Sequence, residues 1–265
     1  MSATQNPASA GLLATLWRWL RQWWRVVHLG AVILALALSP ASYRQGVWPA
    51  VATQLVRSAA PMLLWFTLLM ALFGLVLIRI VVVTAQSYGL SQYAVEMVVR
   101  VLVLELIPLA GALFVALRLA IPLGAELLAL RGQGAFAAEQ AQGRDPLRWL
   151  VLPRALAGIF SVLLLVCVSG LVALVLAYLS LHGFTPWALA SYTRQVGHVF
   201  HPAVTLIFAF KTLAFALAVA LLPLASGLFD PPEPGQRASA ELQALVRLFL
   251  VLLLIEAVSL LGNYY

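Results

Sequence analysis

Seven charged side chains lie inside long apolar stretches of the sequence, where a charge is unusual. They are Arg79, Glu96, Arg100, Glu105, Arg118, Lys211 and Glu256. A charged group within a membrane-spanning helix is costly to insert, so such groups are usually paired or line a cavity. These residues therefore mark the candidate site.

Five of the seven, Arg79, Glu96, Arg100, Glu105 and Arg118, are predicted to line a lipid-binding cavity. Glu96 and Arg100 are four residues apart, which predicts an ion pair on one helix face. In the functional interpretation, Arg79 and Arg100 bind a phosphate headgroup, while Glu96 and Glu105 line the same cavity. In the alternative, these charges only pair with one another or extend to the nearer interface, which suits Arg118 best. Lys211 and Glu256 are expected to join the last two spans.

Motifs for catalysis are absent from the sequence. It has no G-x-x-x-x-G-K-[ST] phosphate loop and no G-x-S-x-G nucleophile motif. The four histidines lack helical metal-ligand spacing, and the single cysteine excludes disulfides. We therefore predict no catalytic residue, no metal and no enzymatic activity. Any uphill transport must be driven by an ion gradient or by another subunit.

The composition excludes a soluble globular fold, because 63% of the residues are hydrophobic, 9% are charged and the mean hydropathy is +1.00. We predict an all-α polytopic membrane protein with an N-terminal interfacial amphipathic helix, five transmembrane helices and a polar helical segment between the second and third of them. The predicted spans are residues 61–83, 94–119, 150–181, 203–224 and 242–261. The polar segment, which we call the coupling helix, covers about residues 125–141.

Residues 1–60 are predicted to form an N-terminal tail and an interfacial or re-entrant helix, and residues 61–265 the permease domain. Arginines and tryptophans alternate around Gly11–His28 at helical spacing, as in a helix that lies among lipid headgroups. The run Leu29–Leu38 is too short to span alone. It is expected to dip into the inner leaflet, although it could instead belong to a span.

The net charge of +7 comes almost wholly from arginine, and in this setting it indicates membrane orientation rather than nucleic-acid binding. Most of the arginines lie in residues 1–60 and in the segment 125–154, which we call the elbow. The positive-inside rule places the N-terminus, the elbow and the proline-rich loop 225–241 in the cytoplasm. Five spans then place the C-terminus on the periplasmic side.

The sequence around the elbow resembles the MlaE/YrbE family, the permease subunits of ABC transporters that move lipids with MCE proteins. Glu105-Leu106 and Pro108 match the first family motif, and Ala116 and Arg118 match the second. Ala125-Glu126-Leu127 and Arg131 match the third. The most specific match is DPLRWLVLPRALAG, from Asp145 to Gly158. Departures such as Leu104 and Ile107 would suit one subunit of a non-identical pair.

The resemblance implies an inner-membrane permease that moves phospholipids between the two bacterial membranes, with retrograde movement as the family's usual assignment. A second permease chain, identical or related, would form the dimer. Two cytoplasmic ABC ATPases carrying ATP and Mg would lie below, and a periplasmic MCE hexamer above. No cofactor is expected in this chain. The coupling helix would contact the ATPase through Glu126, Arg131, Glu139, Asp145 and Arg148, which could also act as braces.

Two alternative functions stay open at this point. The first is a proton-coupled secondary transporter that uses Glu96 and Glu105. The second is a non-transporting membrane scaffold of a lipid-transport complex.

Overall fold

The computed structural model describes residues 7–39, 47–229 and 237–264. In these ranges the chain is helical and forms no strand. The helices are α1 (Pro7–Leu38), α2 (Val47–Ser87), α3 (Ser91–Gly132), α4 (Ala135–Ala141), α5 (Leu147–His182), α6 (Leu189–Val199), α7 (Pro202–Phe229) and α8 (Arg237–Tyr264). Residues 1–6 of the predicted N-terminal tail and residues 230–236 of the predicted loop 225–241 lie outside the described ranges, and the rest of that loop belongs to the ends of α7 and α8.

Five of these helices, α2, α3, α5, α7 and α8, are long and apolar enough to cross a membrane. A shorter apolar stretch, Trp23–Leu38, forms the second half of α1. Lipid offers no hydrogen-bond partners, so an apolar chain crossing it must satisfy its backbone internally, as these helices do. The predicted all-α polytopic membrane fold is confirmed.

All five spanning helices are longer than the sequence predicted, and α2 and α3 differ most. Helix α2 begins at Val47 rather than near residue 61, with Pro61 inside it. Helix α3 does not end at residue 119 but continues to Gly132. The coupling helix predicted over about residues 125–141 is therefore two pieces: the end of α3, and α4 after a turn at Gly134, whose φ is +76°. Only glycine adopts such a φ readily, so the helix breaks there.

A widened turn allows α3 to pass Pro122 without breaking. Residues Ala116–Ala120 form a π-helical turn, in which the N–H of Ile121 donates to the carbonyl of Ala116. Proline has no N–H to give to the carbonyl four residues earlier, and a π-turn shifts the hydrogen-bond register around the gap. Pro122, although it lies near the predicted end of the span, therefore does not end the helix.

Helix α5 lies at the centre of the bundle and packs against α2, α3 and α7. Its buried face is rich in small residues, including Ala155, Gly158, Ser161, Gly170 and Ala173. Small residues let helices approach closely in a membrane, where packing rather than the hydrophobic effect holds them together. Many large apolar side chains also point outward, and on α2 they include the exposed Leu64, Trp65, Leu68 and Phe73.

The connection between α5 and α7 contains the short helix α6, which the sequence analysis treated as a loop. Tyr192 anchors α6 by donating its hydroxyl proton to the carbonyl of Leu174 at 2.7 Å, and its ring packs against Tyr178 and His182. Burial raises the pKa of Tyr192 to about 12, so its hydroxyl stays a neutral donor. His198 and His201 are exposed, and the described residues contain no cluster that could hold a metal ion.

Helices α3 and α7 cross with their backbones in contact at the start of the elbow. A Cβ added at Gly124 would lie 2.5 Å from the carbonyl oxygen of Pro223, and one added at Gly227 would lie 2.4 Å from that of Gly124. Neither backbone oxygen can rotate away as a side chain could. The two glycines therefore fix the distance between the end of α3 and the end of α7.

This crossing predicts that Gly124→Ala lowers the stability of the protein by about 1–3 kcal/mol, because the helices must separate to admit the methyl group. Thermal unfolding of the purified protein in detergent measures the loss. Gly132→Ala is the matched control, since it lies on the same helix and its added Cβ meets no atom within 4 Å. Equal melting temperatures for the two variants would contradict the close crossing.

Candidate functional site

The most deeply buried charge described is Lys211, on α7, which is 4% exposed. Its ammonium contacts the carboxylate of Glu105 on α3. On the other side it lies 3.0 Å from a carboxylate oxygen of Glu256 on α8. We call Lys211, Glu105 and Glu256 the buried triad. It joins three membrane helices that are far apart in the sequence.

A backbone carbonyl completes the surroundings of the ammonium. Lys211 Nζ donates to the carbonyl oxygen of Leu104 at 3.1 Å. Four residues after Leu104 stands Pro108, which has no N–H to offer that carbonyl. The turn is π-helical, because Val99–Leu106 form a π-helix and Ile107 N–H donates to Leu102. The Leu104 carbonyl therefore lies in an irregular turn of α3, where the lysine donates to it.

The three charges of the buried triad depend on one another, because removing one of them leaves a buried charge without an opposite charge and destabilises the protein. None of its members has an oppositely charged residue three or four positions away on its own helix. Each therefore depends on another helix for its partner. The lack of a local partner is the sequence signal that could have grouped the three residues. The expected link between the last two spans, from Lys211 to Glu256, is present, and Glu105 is the member that the sequence analysis assigned elsewhere.

The predicted lipid-cavity residues are divided in the structure. Glu96 and Arg100 form the predicted ion pair, with Arg100 Nε 3.0 Å from Glu96 Oε1. Glu105 belongs to the buried triad instead of joining that pair. Arg79 and Arg118 are exposed, and neither makes a hydrogen bond or ion pair with the parts of the chain that the structure describes. The structure thus does not bring these five residues together in one set of contacts.

The predicted coupling residues all lie in the elbow, where internal contacts hold most of them. Glu126 at the end of α3 accepts a hydrogen bond from Arg154 Nη2 at 2.8 Å, which ties α3 to the start of α5. Arg131 Nη1 donates to the carbonyl of Leu228 at 2.6 Å, which ties α3 to the end of α7. Arg154 also donates to the carbonyl of Leu150 at 2.6 Å. Arg154 was not among the predicted site residues, although it lies in the most specific motif.

The turn after α4 is held by local contacts. Asp145 Oδ1 accepts the backbone N–H of Leu147 at 3.0 Å, and Arg148 Nε lies 3.5 Å from Asp145 Oδ2. Arg144 Nη1 lies 3.8 Å from Glu139 Oε2, and its guanidinium stands 4.8 Å above the ring of Trp149. These contacts give the exposed side of the elbow a defined shape.

A family model described as Permease MlaE matches residues 51–261. The match covers all five membrane-spanning helices, the elbow and the buried triad. This chain belongs to the MlaE permease family. It is accordingly a multi-pass membrane subunit of the ABC-type lipid permeases and works with ABC transporter partners. No individually curated protein matches the chain.

For this MlaE family member, the buried triad predicts a large loss of stability in Lys211→Met. The substitution leaves Glu105 and Glu256 facing each other without a cation, and breaking a buried ion pair typically costs about 3–5 kcal/mol. Unfolding of the purified protein in mixed micelles measures the change. The triple variant Lys211→Met/Glu105→Gln/Glu256→Gln should lose less, because it leaves no uncompensated charge.

Glu96→Gln serves as the control for the triad, since it removes one member of an ion pair whose side chains are 28% and 44% exposed. Exposed pairs typically contribute up to about 1 kcal/mol. If Lys211→Met were no more destabilising than Glu96→Gln, the triad would not be a structural centre of the bundle.

Proposed function

We propose that this chain is the membrane permease of an ABC transporter that moves phospholipids between the inner and outer membranes of a Gram-negative bacterium. The family match over residues 51–261 carries the proposal. A second permease chain, identical or related, completes the membrane part. Two cytoplasmic ATPases with ATP and Mg drive it, and a periplasmic MCE hexamer receives or delivers the lipid. Retrograde movement, which maintains outer-membrane lipid asymmetry, is the direction that we propose.

In this proposal the protein lies in the inner membrane with its N-terminus and elbow in the cytoplasm and its C-terminus in the periplasm. The arginine distribution supports that orientation, because the elbow carries Arg131, Arg144, Arg148 and Arg154 while the connection 183–201 carries only Arg194. The elbow then lies where a cytoplasmic ATPase can reach it.

The contacts of the elbow support a coupling role. Three contacts in or beside the elbow link the end of α3 to α5 and α7: the Arg154–Glu126 ion pair, the Arg131–Leu228 hydrogen bond and the close approach of Gly124 to Pro223. A force applied to the end of α3 would therefore be passed to α5 and α7 together. Helices α3 and α7 also carry Glu105 and Lys211, so the same force would reach the buried triad.

The experiment that tests the proposal is reconstitution of the chain with a candidate ABC ATPase from the same organism. We expect co-purification, ATP-dependent movement of a fluorescent phospholipid in proteoliposomes, and no movement without ATP. Movement driven by a pH gradient without the ATPase would favour the proton-coupled transporter. If reversing Arg79, Arg100 or Glu105 left lipid transport intact while assembly of the complex suffered, the scaffold would be favoured.

The elbow gives a sharper prediction. Glu126→Arg should abolish most lipid movement while ATP hydrolysis continues, because it places two cations together and separates α3 from α5. The exchanged variant Glu126→Arg/Arg154→Glu should recover coupling, since it restores an ion pair with reversed polarity. Arg131→Glu should also uncouple, by removing the donor to Leu228.

The readout is the number of lipids moved per ATP hydrolysed. Gln86→Arg controls for the added positive charge, because Gln86 is exposed at the C-terminal end of α2 and lies outside the elbow. Unchanged coupling in both Glu126→Arg and Arg131→Glu would remove the role assigned to the elbow.

A further inference from the structure

A cavity of about 460 Å³ lies between α1, α7 and α8, and its lining residues include neither the members of the buried triad nor the residues that make the elbow contacts. Its walls are mostly apolar and include Trp23 and Val26 of α1, Leu222 of α7 and Leu250 of α8. This volume is in the range of small-molecule sites. A cavity of this kind suits a hydrocarbon chain.

Two arginines give the cavity its charge. Arg25 of α1 and Arg247 of α8 line it, and among the residues that the structure describes no acidic side chain does. Neither arginine forms an ion pair with the described residues. The guanidinium carbon of Arg25 lies over the ring of Phe229, 5.6 Å from the ring centre. A guanidinium stacked in this way keeps its N–H groups at the edge, where they can still donate to an anion.

The apolar walls and the two arginines together indicate which kind of molecule the cavity can hold. A free phosphate would use the arginines but not the apolar walls, and an uncharged lipid would use the walls but not the arginines. An anionic phospholipid uses both, and basic pockets between membrane helices are known to hold such headgroups. We propose that the cavity holds one resident anionic phospholipid from the surrounding membrane.

The position of the cavity suggests what this lipid does. The second half of α1 is anchored by buried Leu29 and Ile33, and Gly30 packs against Leu221 of α7. The cavity lies one to two turns before this anchor, where α1 would otherwise face α7 and α8 across a gap. The lipid fills that gap and attaches α1 to the bundle. It is a structural component, distinct from any lipid that is transported, and does not depend on the proposed direction or partners.

Native mass spectrometry of the full-length protein tests the proposal, with phosphatidylglycerol and phosphatidylcholine supplied in equal amounts. We expect one phosphatidylglycerol retained about 30-fold more strongly than phosphatidylcholine, as two arginines near a membrane surface would give. Arg25→Gln/Arg247→Gln should lose that preference. Arg21→Gln is the matched control, because Arg21 is exposed on the same helix and does not line the cavity.

A second measurement, of tryptophan fluorescence, tests whether the lipid lies in this cavity. Brominated phosphatidylglycerol should quench tryptophan fluorescence more than brominated phosphatidylcholine, and Trp23→Phe should remove that excess. Ala244→Phe fills the cavity while keeping both arginines, so it should reduce retention in a protein that is still folded, as judged by its melting temperature in phosphatidylcholine nanodiscs.

Three results would overturn the proposal. One is equal retention of the two lipids by the unchanged protein. Another is equal loss of the preference in Arg21→Gln and in the double arginine variant. The third is a disulfide between two copies of Leu250→Cys in membranes, which would show that a second copy of the chain, rather than a lipid, covers the cavity.

Discussion

An ammonium group buried among apolar helices requires negatively charged or carbonyl partners to offset its lost hydration, and that requirement links three helices of this bundle. Lys211 is buried, so its partners are Glu105, Glu256 and the carbonyl of Leu104. These partners come from α3 and α8, while the lysine comes from α7. The positions of three helices are therefore linked by one charge. The cluster contains two carboxyl groups and one ammonium, so it has little tolerance for losing its cation.

The elbow end of the bundle is held by different physics. There the backbones of α3 and α7 meet at Gly124 and Gly227, and exposed or partly exposed arginines add directional hydrogen bonds. Close glycine packing resists separation of the helices, and the Arg154–Glu126 pair resists rotation of α3 against α5. A rigid end and a charge-linked centre on the same helices allow a displacement to travel between them. This is the physical basis for assigning the elbow a mechanical role in an MlaE family permease.

In the second half of the N-terminal helix, Leu29 and Ile33 are buried against the bundle, and Trp23 and Val26 pack beside them while also lining the cavity. A membrane protein can complete such packing with lipid, because the solvent around it is itself a supply of amphiphiles. The composition of the membrane would then influence the shape of the protein, not only its solubility.

The sequence by itself determined the fold class, the five spanning helices, the Glu96–Arg100 pair and the family, because each depends on local composition, spacing or motif. Tertiary structure decided which distant charges meet. Glu105 lies nine residues after Glu96 on one helix, yet its partners are on α7 and α8, and no local spacing reveals them. It also decided that α3 continues past Pro122, since a π-turn absorbs the missing N–H, and that Gly134 divides the expected coupling helix. Local patterns fix what a segment forms, whereas partners across helices follow from how the whole bundle buries its charges.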